Sequence, residues 1–303
     1  MLLESLIYKA TQLDGNTVAV AVAEDEEVIE AVIEALNRNL ANFILFGDIE
    51  KIKMIVNVKN KGQQKSTKKK LTIVHADSNE MAAELAVKAV STREATVLMK
   101  GNIPTSSLLK AVLNKEYGLR TGNVLSHVAV FEVPDFDRFT IVTDAGMNIA
   151  PELEQKAQMI KNAAALARAI GIECPKVAPI AAVEVVNPAM QATIDAAALS
   201  VMNKRGQITG CIVDGPLALD NAVSALAAEH KGIQSEVAGR ADILLVPTIE
   251  VGNVLYKSLI YFAKAKVGAV IAGAKAPIVL TSRADSAESK LYSLALAICS
   301  VTK

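Results

Sequence analysis

The chain has no tryptophan, and only five tyrosines and six phenylalanines. Stacking platforms for single-stranded nucleic acid and aromatic cages are poorly supplied, so the core must be aliphatic. Neither sign of charge is in excess, with 32 Lys and Arg against 32 Asp and Glu. No overall field draws the chain onto nucleic acid or an anionic bilayer. The three cysteines, Cys174, Cys211 and Cys299, lie 37 and 88 positions apart. That spacing suits neither a CxxC redox pair, a zinc clip nor a disulfide framework, and all three are expected to be reduced, buried and cytoplasmic. Long apolar runs are missing too: residues 267–280 are interrupted by Lys275 and Pro277, short of the roughly 20 residues a membrane span needs. Residues 1–10 carry Glu4 and no basic n-region, unlike a secretory signal.

Several catalytic signatures are also missing. No two glycines stand two apart, which excludes GxGxxG. Gly268 and Gly273 have Walker A spacing, but Ala274 stands where Lys is required. GxSxG and HExxH do not occur. His75, His127 and His230 are dispersed and read as structural or surface residues. Asp214, Asp220 and Asp242 are better explained as turn and cap residues than as metal ligands.

What is present is 303 residues that are 51% apolar, enough for two domains with separate cores. Residues 17–23 form a β-rich run, followed by Glu24 to Glu27 and then Val28, Val32, Leu36 and Leu40 at helical spacing. Carboxylates thus sit at the positive end of the predicted helix. The cycle repeats with strands over 43–46, 71–74 and 95–99 and helices over 79–90 and 106–113. Such alternation predicts a mainly parallel sheet covered by helices. Residues 51–70 hold eight lysines and no acid, a solvated helix end and loop whose functional alternative is a polyphosphate contact. Strands over 124–133 and 139–143, joined by Pro134-Asp135-Phe136-Asp137, predict an antiparallel hairpin at a domain junction. A long helix over 151–170 follows, with Pro151 at its start. Strands over 178–183, 210–213, 241–246, 267–272 and 277–280 then alternate with helices over 189–203 and 252–264. A last helix spans about 285–301.

Ligands of open α/β sheets sit at the carboxyl ends of strands. The residues there include Lys100-Gly101-Asn102, Thr143 to Asn148, Glu184 to Pro188, Asp214-Gly215-Pro216, Pro247 to Asn253 and Thr281-Ser282-Arg283. Two groups stand out. Ser282, Arg283 and Asp285 lie between a strand and a helix start, a favourable place for an anion, and Asp285 or Ser286 also suits the helix cap. Gly252 permits close backbone approach, while Asn253 and Lys257 project from one helix face.

Lys100-Gly101, Leu119-Arg120-Thr121-Gly122, the Thr143 to Pro151 stretch, Asp214 to Ser224 and Ala241 to Lys257 together resemble the phosphate acetyl/butyryltransferase family, nearer its butyryl-transferring members, over nearly the whole chain. The resemblance implies two α/β lobes with a central cleft, of the isocitrate-dehydrogenase type. The first lobe would comprise 1–143 plus 273–303 and the second 144–272. It implies reversible transfer of an acyl group, butyryl or similar, between coenzyme A and inorganic phosphate. No metal or redox cofactor is needed, coenzyme A being a substrate, and a cytoplasmic homodimer is implied. Ser282 is similar to the family's catalytic serine, and Arg283 suits phosphate or the carbonyl oxygen through its planar fork. Lys100, Arg120, Asn253 and Lys257 become candidates for phosphate or coenzyme contact. One departure is visible: where acetyltransferases of the family carry an aspartate that deprotonates the thiol, this chain has Ser289, leaving Asp285 or Glu288 as the base. Two alternatives keep the fold: a metal- and nicotinamide-dependent dehydrogenase, or a non-catalytic anion-binding regulator. The Ala-rich stretch 162–169 is the expected dimer contact, with a core role as its alternative.

Overall fold

The computed structural model describes residues 2–59, 69–280 and 286–301. In chain order the first elements are α1 (Leu3–Thr11), β1 (Thr17–Ala21), α2 (Glu26–Asn37), β2 (Asn42–Gly47), α3 (Ile49–Lys59), β3 (Leu71–His75), α4 (Asn79–Ser91), β4 (Val97–Lys100) and α5 (Thr105–Val112). After these come β5 (Ser126–Glu132), β6 (Thr140–Thr143), α6 (Leu153–Ala169), β7 (Lys176–Pro179), α7 (Gln191–Lys204), β8 (Ile212–Val213), α8 (Leu219–Val223) and α9 (Ala225–His230). The last are β9 (Ile243–Leu245), α10 (Ile249–Tyr261), β10 (Lys266–Ala272), β11 (Ile278–Val279) and α11 (Ala287–Ser300).

The chain divides into two compact units, one of Leu3–Asn123 with Gly268–Lys303 and one built on Val124–Val267. In the discontinuous unit the strands run in the order β3-β2-β1-β4-β11-β10. All neighbouring pairs there are parallel except β10 with β11. Its central strands bury both faces, which is why β1, TVAVA, reads as a continuous apolar run with four of its five residues buried. Asp25 caps α2 by accepting a hydrogen bond from the Val28 amide at 3.0 Å, and Ser78 caps α4 through the Met81 amide at 3.1 Å. The C-terminal α11 is the centrepiece. Every residue from Lys290 to Cys299 is buried, against α1, α2 and β11, and Lys290 keeps its charge paired with Glu27 at 2.8 Å.

The other unit has the strand order β5-β6-β9-β7-β8. The hairpin forms in the register Ala129↔Val142, Val130↔Ile141 and Phe131↔Thr140, with Asp135 in the left-handed region at φ 61°. The remaining neighbours are parallel. A boundary drawn at 143/144 would separate β6 from β9, to which it pairs along Ile141 to Thr143; in the structure both hairpin strands fall with Val124–Val267. On α6, Pro151 precedes the helix rather than opening it, and the start is set by a capping box between Glu152 and Gln155. The stretch 162–169 takes the core alternative: Ala163, Ala164, Leu166 and Ala167 are all buried. Cys174 is exposed, against expectation, while Cys211 and Cys299 are buried; all three are free thiols. Among the described residues no helix is long and apolar enough to cross a membrane.

Candidate active site

In the discontinuous unit, parallel pairing puts the carboxyl ends of β1, β2, β3, β4 and β11 on one edge. β1 lies between β2 and β4, so the chain order reverses there, the place where open α/β sheets take their ligands. The loops at this point are drawn tightly together. The Gly101 amide donates to Ala21 O at 2.8 Å and the Asn102 amide to Val22 O at 2.6 Å. A Cβ on Gly101 would stand 2.0 Å from Val22 O, so the glycine is required by packing, and Val22 itself is left-handed at φ 57°. Beside them the buried Lys100 turns its ammonium onto Gly101 O at 3.2 Å.

β11 pairs with β4 in the register Ile278↔Leu98 and Val279↔Met99, so the chain leaves β11 alongside Lys100. Arg120 is exposed on a loop fastened to the lead-in of that strand: Thr121 Oγ1 donates to Gly273 O at 2.5 Å, and the Lys275 amide to Leu119 O at 2.9 Å. Ser282, Arg283 and Asp285 lie outside the described residues. The structure resumes at Ser286, which caps α11 by accepting from the Ser289 amide at 3.1 Å. Glu288 is exposed, and its Oε1 accepts the Tyr292 hydroxyl at 2.7 Å. It borders a cavity of about 440 Å³ with Glu30, Glu34, Arg38 and Lys59. The cations there are matched with acids: Arg38 contacts Glu4 at 2.6 Å and Glu34 at 2.7 Å, and Lys59 contacts Glu30 at 3.0 Å. The hydrogen bond to Glu34 raises the Arg38 pKa above its usual value.

Sequence reasoning did not single out Glu24, yet it sits on the same edge. Its Oε1 accepts the Asp48 amide, and its carboxylate fills the space a Cβ on Gly47 would need. Its other oxygen is buried and has no hydrogen-bond partner among the described residues. The signal was an acid three residues past β1 and a glycine directly before Asp48, a pairing that only contact in space could reveal.

In the second unit the strand-end residues organise one another. Asp144, 1% exposed, accepts from the Gly146 and Met147 amides at 2.8 and 2.9 Å. Its second oxygen accepts from the His127 amide at 3.1 Å and from Asn148 Nδ2 at 2.7 Å. α10 rests on this turn through Gly252, where a Cβ would lie 2.3 Å from Asp144 O. That glycine is inside α10 rather than at its start, and the close approach it allows is to the protein's own backbone. Tyr256 packs edge-on against Phe131, with ring centroids 5.2 Å apart, and against His127 at 5.8 Å. Asn253 and Lys257 lie on α10, both exposed. Glu184 accepts from Lys231 at 3.2 Å and from Asn221 Nδ2 at 3.3 Å. Asp220 also pairs with Lys231, at 3.4 Å, and hydrogen bonding, led by the Asn221 amide, lowers its pKa. Asp242 accepts the Lys176 amide at 2.8 Å, and burial raises its pKa. Among the described residues no three His, Cys, Asp or Glu side chains gather as a metal would require.

Lys100, the exit of β11 and the Arg120 loop are therefore gathered in one unit, and Asn253 and Lys257 belong to the other. A mixed α/β fold with cationic side chains at strand ends suits an enzyme that handles anionic substrates, and sequence comparison gives that class its chemistry. Residues 1–298 match the family described as phosphate acetyl/butaryl transferase. A "Probable phosphate butyryltransferase" of Bacillus subtilis is 62% identical over 299 residues, covering 99% of this chain and 98% of the relative. A phosphate acetyltransferase of Thermotoga maritima is 51% identical over 296 residues, 98% of each chain. Among solved structures, a branched-chain phosphotransacylase from Enterococcus faecalis superposes with a TM-score of 0.82 at 38% identity, over 95% of this chain and 99% of that one. The molecule is a phosphate acyltransferase. The chain belongs to the phosphate acetyl/butyryl transferase family.

Proposed function

We propose that the protein moves a short acyl group, butyryl or a branched group of similar size, reversibly between coenzyme A and inorganic phosphate. The observation that carries this reading is the 62% identity, over 99% of the chain, to a relative named for butyryl transfer. A phosphate oxygen attacks the thioester carbonyl, the carbon–sulfur bond breaks, and the thiolate leaves and takes up a proton. The thioester supplies the activated acyl group, so the reaction as written needs neither a metal nor a redox cofactor.

Two polyanions must be held together while negative charge grows on the carbonyl oxygen. Arg283 is assigned to the phosphate or that oxygen, and Ser282 to the carbonyl or the sulfur. Lys100, beside the exit of β11, and Arg120, on the loop tied to Gly273, support that assignment by supplying positive charge close in the fold. Asn253 and Lys257 are assigned to coenzyme or phosphate contact, with exposure on one helix as their support. In the reverse direction the thiol, with an ordinary pKa near 8.5, gains from a base. Asp285 and Glu288 share that assignment, and the hydrogen bond from Tyr292 makes Glu288 the weaker acceptor. An isocitrate-dehydrogenase type of fold and a homodimer complete the proposal.

The test mixes butyryl-CoA with protein, with and without phosphate, and follows thiol release. Phosphate-dependent thiol is expected; its absence would refute the reading, and NADH formation from a hydroxy acid would replace it with a dehydrogenase. Arg283→Ala is expected to lose at least about 10²-fold in turnover with its circular dichroism unchanged, and near-normal turnover would remove Arg283 from the assignment. Each buried methylene contributes about 0.8 kcal/mol, so butyryl-CoA should exceed acetyl-CoA roughly tenfold in kcat/KM.

A further inference from the structure

Between the end of β7 at Pro179 and the start of α7 at Gln191, the loop IAAVEVVNPAM has Glu184 and Asn187 as its only polar side chains. A surface loop ordinarily turns such groups to water and its apolar residues inward. Here the arrangement is reversed. Glu184 is held by Lys231 at 3.2 Å and Asn221 Nδ2 at 3.3 Å. The Asn187 amide donates to the buried Thr193 hydroxyl at 2.9 Å, and its side-chain and backbone oxygens accept the Ala189 and Met190 amides, each at 2.9 Å. Pinned by both polar residues, the loop presents Val185 and Val186 to solvent, 62% and 56% exposed. Their branched side chains are stiff, so little rotamer freedom is lost when something covers them.

The place they occupy is a crevice of the second unit's sheet. β7 lies between β8 and β9, parallel to both. The chain leaving β7 goes through α7 to β8 on one side, whereas that leaving β9 turns into α10, which lies against β6 on the other. Exits that diverge in this way mark where open α/β sheets take ligands. Ile149 belongs to the β9 side, since its carbonyl accepts the Ile249 amide at 2.9 Å at the start of α10. It is 70% exposed. Both sides of the crevice therefore offer branched apolar side chains to water at the edge that binds ligands, where exposed apolar surface marks a binding groove.

We propose that Val185, Val186 and Ile149 receive the hydrocarbon chain of the acyl group and set the preference for acyl length. The proposal rests on the acyl-transfer reading and adds to it the residues that measure the chain. Chemistry selects the occupant. Phosphate and the nucleotide end of coenzyme A are charged, and the pantetheine arm carries two amides; the acyl chain alone is pure hydrocarbon, and butyryl has two more methylenes than acetyl to remove from water.

The test compares kcat/KM for butyryl-CoA and acetyl-CoA with phosphate as acceptor. Val185→Thr/Val186→Thr keeps the shape of both side chains and replaces a methyl by a hydroxyl in each. The butyryl-to-acetyl ratio is expected to fall about tenfold in that variant and about threefold in Ile149→Thr. Circular dichroism should be unchanged in both, because the residues are exposed. Leu226→Thr, which removes a 61% exposed leucine on α9, should keep the wild-type ratio. A merely structural role would lower both substrates together and leave the ratio alone. An unchanged ratio in the double variant, or an equal fall in Leu226→Thr, would overturn the proposal. So would a double variant whose mass by light scattering changes while its ratio does not, which would make the valines a contact between chains. Phosphate-dependent thiol release by the wild-type chain with an unchanged ratio in the variants overturns this proposal alone, whereas a wild-type chain without that release overturns the acyl-transfer reading and this proposal with it.

Discussion

Desolvation of a thiolate pushes the buried Cys211 and Cys299 thiols up to about 11, whereas Cys174 is exposed. In the native protein at pH 8, one thiol per chain should react with Ellman's reagent within seconds and two only on unfolding, and Cys174→Ser should abolish the fast phase. A second fast thiol would show that one of the buried pair is accessible. The raised values also have a sign. The two thiols contribute stability that is fully present below the ordinary value of 9.0 and lost as pH rises through about 11. The fall in urea midpoint across that window should therefore be smaller in Cys211→Ala/Cys299→Ala. At this scale the sequence was only partly legible. Spacing excluded a disulfide framework, but burial of each thiol depends on neighbours distant in the chain, such as Leu6, whose carbonyl lies 3.7 Å from Cys299 Sγ. Asp144 is similar: an acid after a strand marks a turn or a ligand equally well, and only the four donors around it distinguish the two.

The helices and strands with a clear apolar stripe were readable because their period survives in a single sequence. α3 was legible only as a solvated helix end, since among its eleven residues only Ile52 is buried and no stripe records its packing. α8 and α9, at five and six residues, are too short to show a period. The pairing of α6 with α7 was invisible for another reason: it depends on Lys156 and Asp195, 39 positions apart and joined at 2.6 Å with both side chains buried. Gln191 completes the arrangement by donating to the other Asp195 oxygen at 2.8 Å. Removing one partner strands a buried charge, so Lys156→Met should cost about 3–5 kcal/mol in urea unfolding. Lys156→Met/Asp195→Leu should recover most of that loss. If the single variant costs no more than the double, the charges are solvated and the pair does not join the helices.

Across the whole molecule, the order of the chain and the order of the fold disagree in one respect with physical consequences. The discontinuous unit is completed only by Gly268–Lys303, which supplies β11 beside β4 and the buried helix α11 against α1 and α2. Ten consecutive buried residues on α11 mean that its removal would uncover Leu3, Leu6 and Ile7 on α1 and the apolar side of α2. At about 1.5–3 kcal/mol for each large aliphatic side chain buried, the loss from Leu291, Leu294, Leu296 and Ile298 alone is comparable to the entire stability of an ordinary domain, about 5–15 kcal/mol. A chain ending at residue 267 should therefore retain one cooperative urea transition, that of Val124–Val267. Its first 123 residues should exchange amide protons without protection. The isolated fragment 124–267 has its strands, hairpin and α6–α7 pair within one contiguous stretch and should unfold at nearly the same midpoint as that transition. Protection persisting in β1, β2 and β4 of the truncated chain would show that these strands hold together without α11, and that the late segment serves the site rather than the fold.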